Sequence, residues 1–129
     1  MTFLLDTHTL LWALTNPSQL GQASRAIIAN PQSRLLVSAV SAWEISTKHR
    51  NGKLPQADAL LGGYVKHLDR LGVIRLPITE DHSLLNGSLD WAHRDPFDRM
   101  LAAQAMIESL TLITNDTAFN DLPGLRTLW

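Results

Sequence analysis

Residues 94–105 read RDPFDRMLAAQA, and this stretch predicts a helix over Pro96–Ser109. Asp95 is suited to the N-cap position, because its side chain can accept a hydrogen bond from a free N–H of the first turn. Pro96 is suited to the first helical position, where its missing N–H costs nothing. The start of this helix is therefore well defined by local chemistry.

The same helix carries an acid on its apolar face. Counting three, four and seven residues forward from Asp98 gives Leu101, Ala102 and Ala105, a stripe of small apolar side chains that should face the core. An ionised carboxylate at the start of a buried stripe needs a partner. Asp98 is therefore harder to explain as a surface residue than Asp95.

Apolar runs without polar alternation lie on either side of this helix and predict buried parallel strands. We predict strands over Thr2–Leu5, Arg34–Ser38, Val73–Leu76, Thr111–Thr114 and Arg126–Trp129. We predict further helices over His8–Thr15, Gly21–Ala29, Val40–Arg50, Ala57–Leu71 (with a weak centre at Gly62 and Gly63) and Thr79–Asn86. The alternation indicates a three-layer α/β/α sandwich with a mostly parallel central sheet, in a single domain over residues 1–129.

Composition excludes several classes of function. With 45% apolar and 18% charged residues the chain is globular, and a net charge of −1 gives no bulk attraction to nucleic acid or to an anionic membrane. The absence of cysteine excludes disulfides, thiolate zinc sites and cysteine nucleophiles. No apolar stretch approaches the roughly 20 residues of a membrane helix. We expect a cytoplasmic protein whose mature chain starts at Met1.

Acidic residues follow the predicted strands. Asp6 comes directly after the first strand and Asp116 two residues after the fourth, while Glu44 lies on the helix after the second strand. Because ligands of parallel sheets bind at the carboxyl ends of the strands, these acids and the Asp95–Asp98 pair should share one edge.

Each acid also has a simpler interpretation. Helix capping alone would explain Asp6, Asp95 and Asp116. Glu44 could complete a capping box that begins at Ser41. If the cap is Ser38 instead, Glu44 lies in the second turn and can face a cleft. Capping explains each acid singly but does not explain their common location.

Clustered carboxylates repel one another, by on the order of 4 kcal/mol for a pair about 4 Å apart in a dielectric near 20. A divalent cation or a raised pKa resolves the repulsion. Oxygen ligands without thiolates favour Mg²⁺ or Mn²⁺, which would activate water for attack on a phosphoryl group.

Four segments, LLDTHTLLWAL, SAWEI, DPFDRMLAAQA and LITND, together resemble the PIN-domain nucleases, and in particular the VapC-type toxins of bacterial toxin–antitoxin pairs. The resemblance implies a metal-dependent endoribonuclease, a homodimer, and silencing by an antitoxin whose C-terminal segment covers the cleft. It also implies an acidic quartet that binds metal and is catalytic, with two supporting residues. The quartet is Asp6, Glu44, Asp98 and Asp116, and the supporting residues are Asp95 and Thr114.

Basic and apolar side chains supply secondary predictions. Candidate RNA contacts are Lys48, Arg50, Lys53, Arg94 and Arg99, although a solvated helix end also explains the first three. The four tryptophans are expected in the core. Leu10, Leu11 and Leu14 lie either in the core or on a dimer or antitoxin face.

Two other classes of function remain as alternatives. A non-catalytic RNA- or protein-binding module of the same fold would keep RNA affinity without cleavage. A Mg²⁺-dependent phosphohydrolase is less compatible, because Asp6-Thr7-His8 lacks the second acid of a DxD motif.

Overall fold

The apolar runs form the strands of one sheet, and helices fill the connections between them. The computed structural model describes residues 1–129 apart from the side chain of Gln56. Strands β1–β5 are Thr2–Leu5, Arg34–Ser38, Ile74–Leu76, Thr111–Ile113 and Arg126–Leu128. Helices α1–α7 are Thr7–Thr15, Gln22–Ala29, Ala39–Arg50, Asp58–Leu61, Tyr64–Leu71, Glu80–Ser88 and Pro96–Ile107. Short 3₁₀ helices occupy Pro17–Gln19, Pro55–Ala57 and Thr117–Asp121.

The sheet has the strand order β3-β2-β1-β4-β5, and all four pairings are parallel. In the centre, Leu4 of β1 is paired with Leu36 of β2 on one side and with Leu112 of β4 on the other. The predicted parallel α/β/α architecture is confirmed. Because β1 is central, the residue that follows it lies between the ends of its two neighbours.

Each central strand buries side chains on both faces, which is why its sequence shows no polar alternation. On β1, Phe3 and Leu5 pack in one cluster with Leu10 of α1. Leu4 packs on the opposite face in a second cluster, with Leu101 of α7. The stripe that starts at Asp98 therefore faces the sheet as predicted.

Helix ends differ from the predictions where glycine or a left-handed residue intervenes. The predicted helix over 57–71 is two helices, separated by Gly62 and Gly63. Helix α7 ends at Ile107 rather than at Ser109, because Ser109 has a φ of 56° and the Leu110 N–H returns to the Ala105 carbonyl.

Side-chain burial corrects one secondary prediction and decides another that the sequence leaves open. Trp43 was expected in the core but is 56% exposed and packs edge-on against Phe97, with ring centroids 4.9 Å apart. It precedes the inward-facing Glu44 on α3, and consecutive helical residues point about 100° apart. Leu10 and Leu11 are fully buried, so they belong to the core rather than to a partner face. Among the described residues, no helix is both long and apolar enough to span a bilayer.

Candidate active site

An open cleft of about 420 Å³ lies at the carboxyl edge of β1 and β4. Its walls combine carboxylates with a few cationic, polar and aromatic side chains. The lining residues are Asp6, Thr7, His8, Trp12, Glu44, Lys48, His93, Asp95, Asp98, Asn115 and Asp116. The structure thus brings all five predicted acids to one cleft, although their roles in catalysis and metal binding remain predictions.

Asp6 is the N-cap of α1 and a wall of the cleft at the same time. Its carboxylate accepts a hydrogen bond of 2.7 Å from the Thr9 N–H, and the side chain is only 6% exposed. Burial raises the Asp6 pKa above its usual value, while hydrogen bonds from Thr114 and Thr9 oppose the increase. The predicted supporting residue Thr114 is thereby placed against Asp6, and its hydroxyl also accepts from the Asp116 N–H at 3.0 Å.

Glu44 faces the cleft because Ser38, not Ser41, caps α3. The Ser38 hydroxyl accepts from the Val40 N–H at 3.0 Å, which leaves Glu44 in the second turn. The Glu44 side chain is 3% exposed; one carboxylate oxygen accepts from Lys48, and the other, Oε1, is buried without a hydrogen-bond partner among the described residues. A buried charged oxygen left unsatisfied is costly, and a cation or a hydrogen-bond donor at this position would remove that cost.

Lys48 is the cation that pairs with Glu44 in the cleft. Burial lowers the pKa of Lys48, but the hydrogen bond and charge of Glu44, with smaller contributions from Asp95 and Asp98, outweigh burial and raise the pKa. The ammonium therefore stays charged and occupies the acidic cleft.

The start of α7 contributes the other carboxylates. Asp95 caps the helix by accepting from the Phe97 N–H at 2.9 Å and from the Asp98 N–H at 3.3 Å, as predicted. Asp98 points into the cleft, where its Oδ2 lies 2.8 Å from Nε2 of His93. Burial raises the pKa of Asp98 to about 6, the His93 hydrogen bond opposes this, and the negative charges of Asp95 and Glu44 add to it.

Asp116 closes the cleft from β4. It is exposed and caps the 3₁₀ helix Thr117–Asp121 by accepting from the Ala118 N–H at 2.9 Å. Asp6, Asp95 and Asp116 are therefore caps as well as cleft residues, so the two interpretations of these acids are compatible.

A candidate metal triad in the described part of the chain includes a histidine. One ligand atom each from His93, Asp95 and Asp98 lies within 4.8 Å of the others. His93 was not predicted as a metal ligand. The only signal for this role in the sequence was its location five residues before Asp98 in HRDPFD. The oxygen-rich donor set, with the unsatisfied Glu44 oxygen, suits a hard divalent cation.

The predicted RNA contacts separate into two groups. Lys48 lines the cleft, and Arg50, Lys53 and Arg94 are surface side chains available to phosphates. Arg99, by contrast, donates its guanidinium hydrogens to backbone carbonyls of the segment before α7. Its interpretation as an RNA contact is therefore replaced by a structural one.

Comparison with known proteins places this geometry in a family context. The chain is 26% identical over 131 residues to the tRNA(fMet)-specific endonuclease VapC of Shigella flexneri, covering 98% of this chain and 96% of the relative. The fold is similar to a chain of the DNA-bound VapBC of Salmonella typhimurium, with a TM-score of 0.72, 20% identity and coverage of 99% and 97%. It is also similar to a chain of a toxin–antitoxin complex from Klebsiella pneumoniae, with a TM-score of 0.61, 20% identity and coverage of 99% and 97%.

A model of the PIN domain matches residues 3–125. This match spans β1 to the end of the last loop before β5 and includes every acid of the cleft. The chain belongs to the PIN-domain family.

Proposed function

We propose that this protein is a divalent-metal-dependent endoribonuclease, active with Mg²⁺ or Mn²⁺, that serves as the toxin of a toxin–antitoxin pair. The observation that carries the proposal is the buried Glu44 oxygen, which has no hydrogen-bond partner among the described residues, in a cleft that also holds Asp6, Asp98 and Asp116. Membership of the PIN-domain family and the similarity to a VapC named as a tRNA endonuclease support it.

The four acids would hold the metal, with Asp95 as an additional donor. A bound Mg²⁺ or Mn²⁺ supplies an electrophile for the phosphoryl oxygens and lowers the pKa of a bound water. Asp6 and Asp98 are held rigidly, by the Thr9 N–H and by His93 respectively, so their carboxylates need little reorganisation to become ligands. Lys48 lies beside the same carboxylates and can shift its ammonium to a substrate phosphate once metal balances Glu44.

Residues outside the cleft suit a polyanionic substrate. Arg50, Lys53 and Arg94 are exposed and supply positive charge on a chain whose net charge is only −1. RNA attraction therefore arises from these side chains and from the metal, rather than from the overall charge.

The proposed partners follow from the acidic cleft and from the similar complexes. An antitoxin segment that carries a cationic side chain would bind the carboxylates in place of metal and so silence the enzyme. The similarity to a chain of a toxin–antitoxin complex supports such a partner. We also propose a homodimer in the cytoplasm, with residues 1–129 as one nuclease domain.

Cleavage of a mixed small-RNA pool by antitoxin-free protein tests the proposal. We expect cutting with Mn²⁺ or Mg²⁺, none with EDTA, and none by Asp6→Asn, which keeps the cap but removes the charge. Asp81→Asn is the matched control, since Asp81 is an exposed acid in the first turn of α6, and it should cut normally.

Two results would contradict the proposal. RNA binding without cleavage, by folded protein tested with several RNA classes, would indicate a binding module. Cleavage that survives Asp6→Asn would indicate a contaminating nuclease or a different site.

A further inference from the structure

The segment between α6 and α7 has no regular secondary structure, and one side chain organises its backbone. Arg99 donates five hydrogen bonds of 2.8–3.1 Å to four carbonyl oxygens: two bonds go to Asn86 near the end of α6, and one each to Leu89, Trp91 and His93 of the segment. Carbonyls of an irregular segment must otherwise be satisfied by water. The guanidinium therefore supplies these carbonyls with the hydrogen bonds that backbone N–H groups supply in a helix or a strand.

This segment delivers a side chain to the cleft. His93, whose carbonyl accepts from Arg99 at 3.0 Å, turns its ring to Asp98, where Nε2 lies 2.8 Å from Oδ2. The ring also packs against Trp91, with centroids 4.9 Å apart, and Trp91 is itself packed against the buried Phe119. The position of His93 is thus fixed through its backbone by Arg99 and through its ring by an aromatic contact with the core.

Arg99 acts here through geometry and not through a salt bridge. None of the ion pairs in the described residues includes Arg99, although five acids line the cleft next to it. Its planar guanidinium offers five N–H donors in a fixed arrangement, and these donors are directed at backbone carbonyl groups. Lysine has the same charge but cannot reproduce this arrangement.

We propose that Arg99 is a positioning residue: it shapes the segment before α7 so that His93 holds the Asp98 carboxylate in the orientation that binds metal. The metal readout of this inference rests on the proposed function, whereas the conformational readout does not. Partners that orient a ligand typically change metal affinity about 10- to 100-fold when they are lost.

A double-mutant cycle on Mn²⁺ affinity, measured by calorimetry without RNA, tests the coupling. We expect Arg99→Lys to weaken Mn²⁺ binding about tenfold or more, and His93→Ala to do the same. Because Arg99 acts through His93, the double variant should bind no more weakly than His93→Ala alone. His93→Gln, whose side-chain amide can still donate to Asp98, should bind more tightly than His93→Ala.

Arg126→Gln is the matched control, since Arg126 also donates to a backbone carbonyl, that of Ser109, away from the cleft. It should bind Mn²⁺ as the wild type does. All titrations are made well below the melting temperature of the least stable variant, so that a loss of folding does not register as a loss of affinity.

Nitrogen NMR of the histidine rings in metal-free protein tests the same inference independently. The chain has five histidines, and the signal that is lost from the spectrum of His93→Gln identifies His93. We expect a single Nε2–H tautomer in the wild type and a shifted, mixed population in Arg99→Lys.

The outcomes separate the two proposals. If the wild type binds no Mn²⁺, the proposed metal-dependent function fails, and the His93 signal alone decides the role of Arg99. If Arg99→Lys leaves the His93 signal unchanged, or if the affinity losses multiply in the double variant, Arg99 stabilises the segment without positioning His93, and the inference is overturned.

Discussion

Replacing Asp98 by asparagine should stabilise the metal-free protein, because the carboxylate is held in a site that disfavours its charge. Its pKa of about 6 lies about two units above the usual 3.8, mainly because of burial. At 1.36 kcal/mol per unit the difference corresponds to about 3 kcal/mol. Solvent in the open cleft screens the carboxylate, which is 16% exposed, so we expect about 2 kcal/mol. Asparagine retains an oxygen that can accept the His93 hydrogen bond.

The sign of the pH dependence follows from the raised pKa. The folded protein binds the Asp98 proton more tightly than the unfolded chain, so this residue contributes stability that is complete below pH 3.8 and is lost as the pH rises through about 6. The free energy of unfolding of Asp98→Asn should therefore exceed that of the wild type by about 2 kcal/mol at pH 7.5 and by about a third of that at pH 4.5. For a chain of this length, 2 kcal/mol corresponds to about 7 °C in melting temperature.

Metal should reduce this difference. Mn²⁺ at a hundred times its dissociation constant stabilises the folded wild type by about 2.7 kcal/mol, and the variant, which lacks one carboxylate, should gain less. The assay is thermal unfolding at both pH values in EDTA and, at pH 7.5, in Mn²⁺, with Asp81→Asn as the exposed control. The reasoning is refuted if Asp98→Asn is equally destabilised at both pH values in EDTA, or if Mn²⁺ stabilises both proteins equally.

Three further substitutions test other parts of the structure. Lys48→Met leaves the buried Glu44 charge unpaired and should cost about 2 kcal/mol in EDTA, less than the roughly 3–5 kcal/mol of a fully buried pair because Lys48 is 27% exposed. Mn²⁺ should stabilise this variant more than the wild type, and an equal metal response in the two proteins would contradict the assignment. Ser38→Ala removes the cap of α3 and should cost about 1 kcal/mol in chemical denaturation, whereas no change would point to a cap at Ser41. Leu101→Ala empties a fully buried position against the sheet and should cost about 3 kcal/mol, measured by the same unfolding experiment; a loss below 1 kcal/mol would mean that the α7 stripe is not in the core.

The strands were predictable because a parallel strand in a three-layer fold is buried on both faces. The runs TFLL and RLLVS therefore identify β1 and β2 with their observed ends. Helix ends were less predictable where a non-glycine residue takes a left-handed conformation, as Ser109 does, because the sequence does not mark it. The edge at which the acids meet followed from strand direction alone.

The contacts of His93 and Arg99 could not be predicted, because they depend on the path of an irregular segment. The sequence HRDPFDR places His93 and Arg99 six residues apart across a helix start, but it does not indicate that one side chain binds the backbone of the other. Likewise, the burial of Glu44 and the exposure of neighbouring Trp43 depend on the choice between Ser38 and Ser41 as the cap. A shift of three residues in the start of α3 rotates Glu44 relative to the cleft by about 60°.

Several acids both cap a helix and line the cleft, and this explains how the cleft tolerates its negative charge. Three of the five carboxylates, Asp6, Asp95 and Asp116, accept backbone N–H bonds at the start of a helix or 3₁₀ helix, where the local dipoles favour an anion. The other two rely on side chains, Glu44 on Lys48 and Asp98 on His93. Capping would therefore not compete with the proposed metal binding, because it uses one oxygen of each carboxylate and fixes the direction of the other. Since asparagine caps a helix about as well as aspartate, Asp→Asn variants at the three caps remove the charge while preserving the local structure, whereas Asp→Ala variants would remove both.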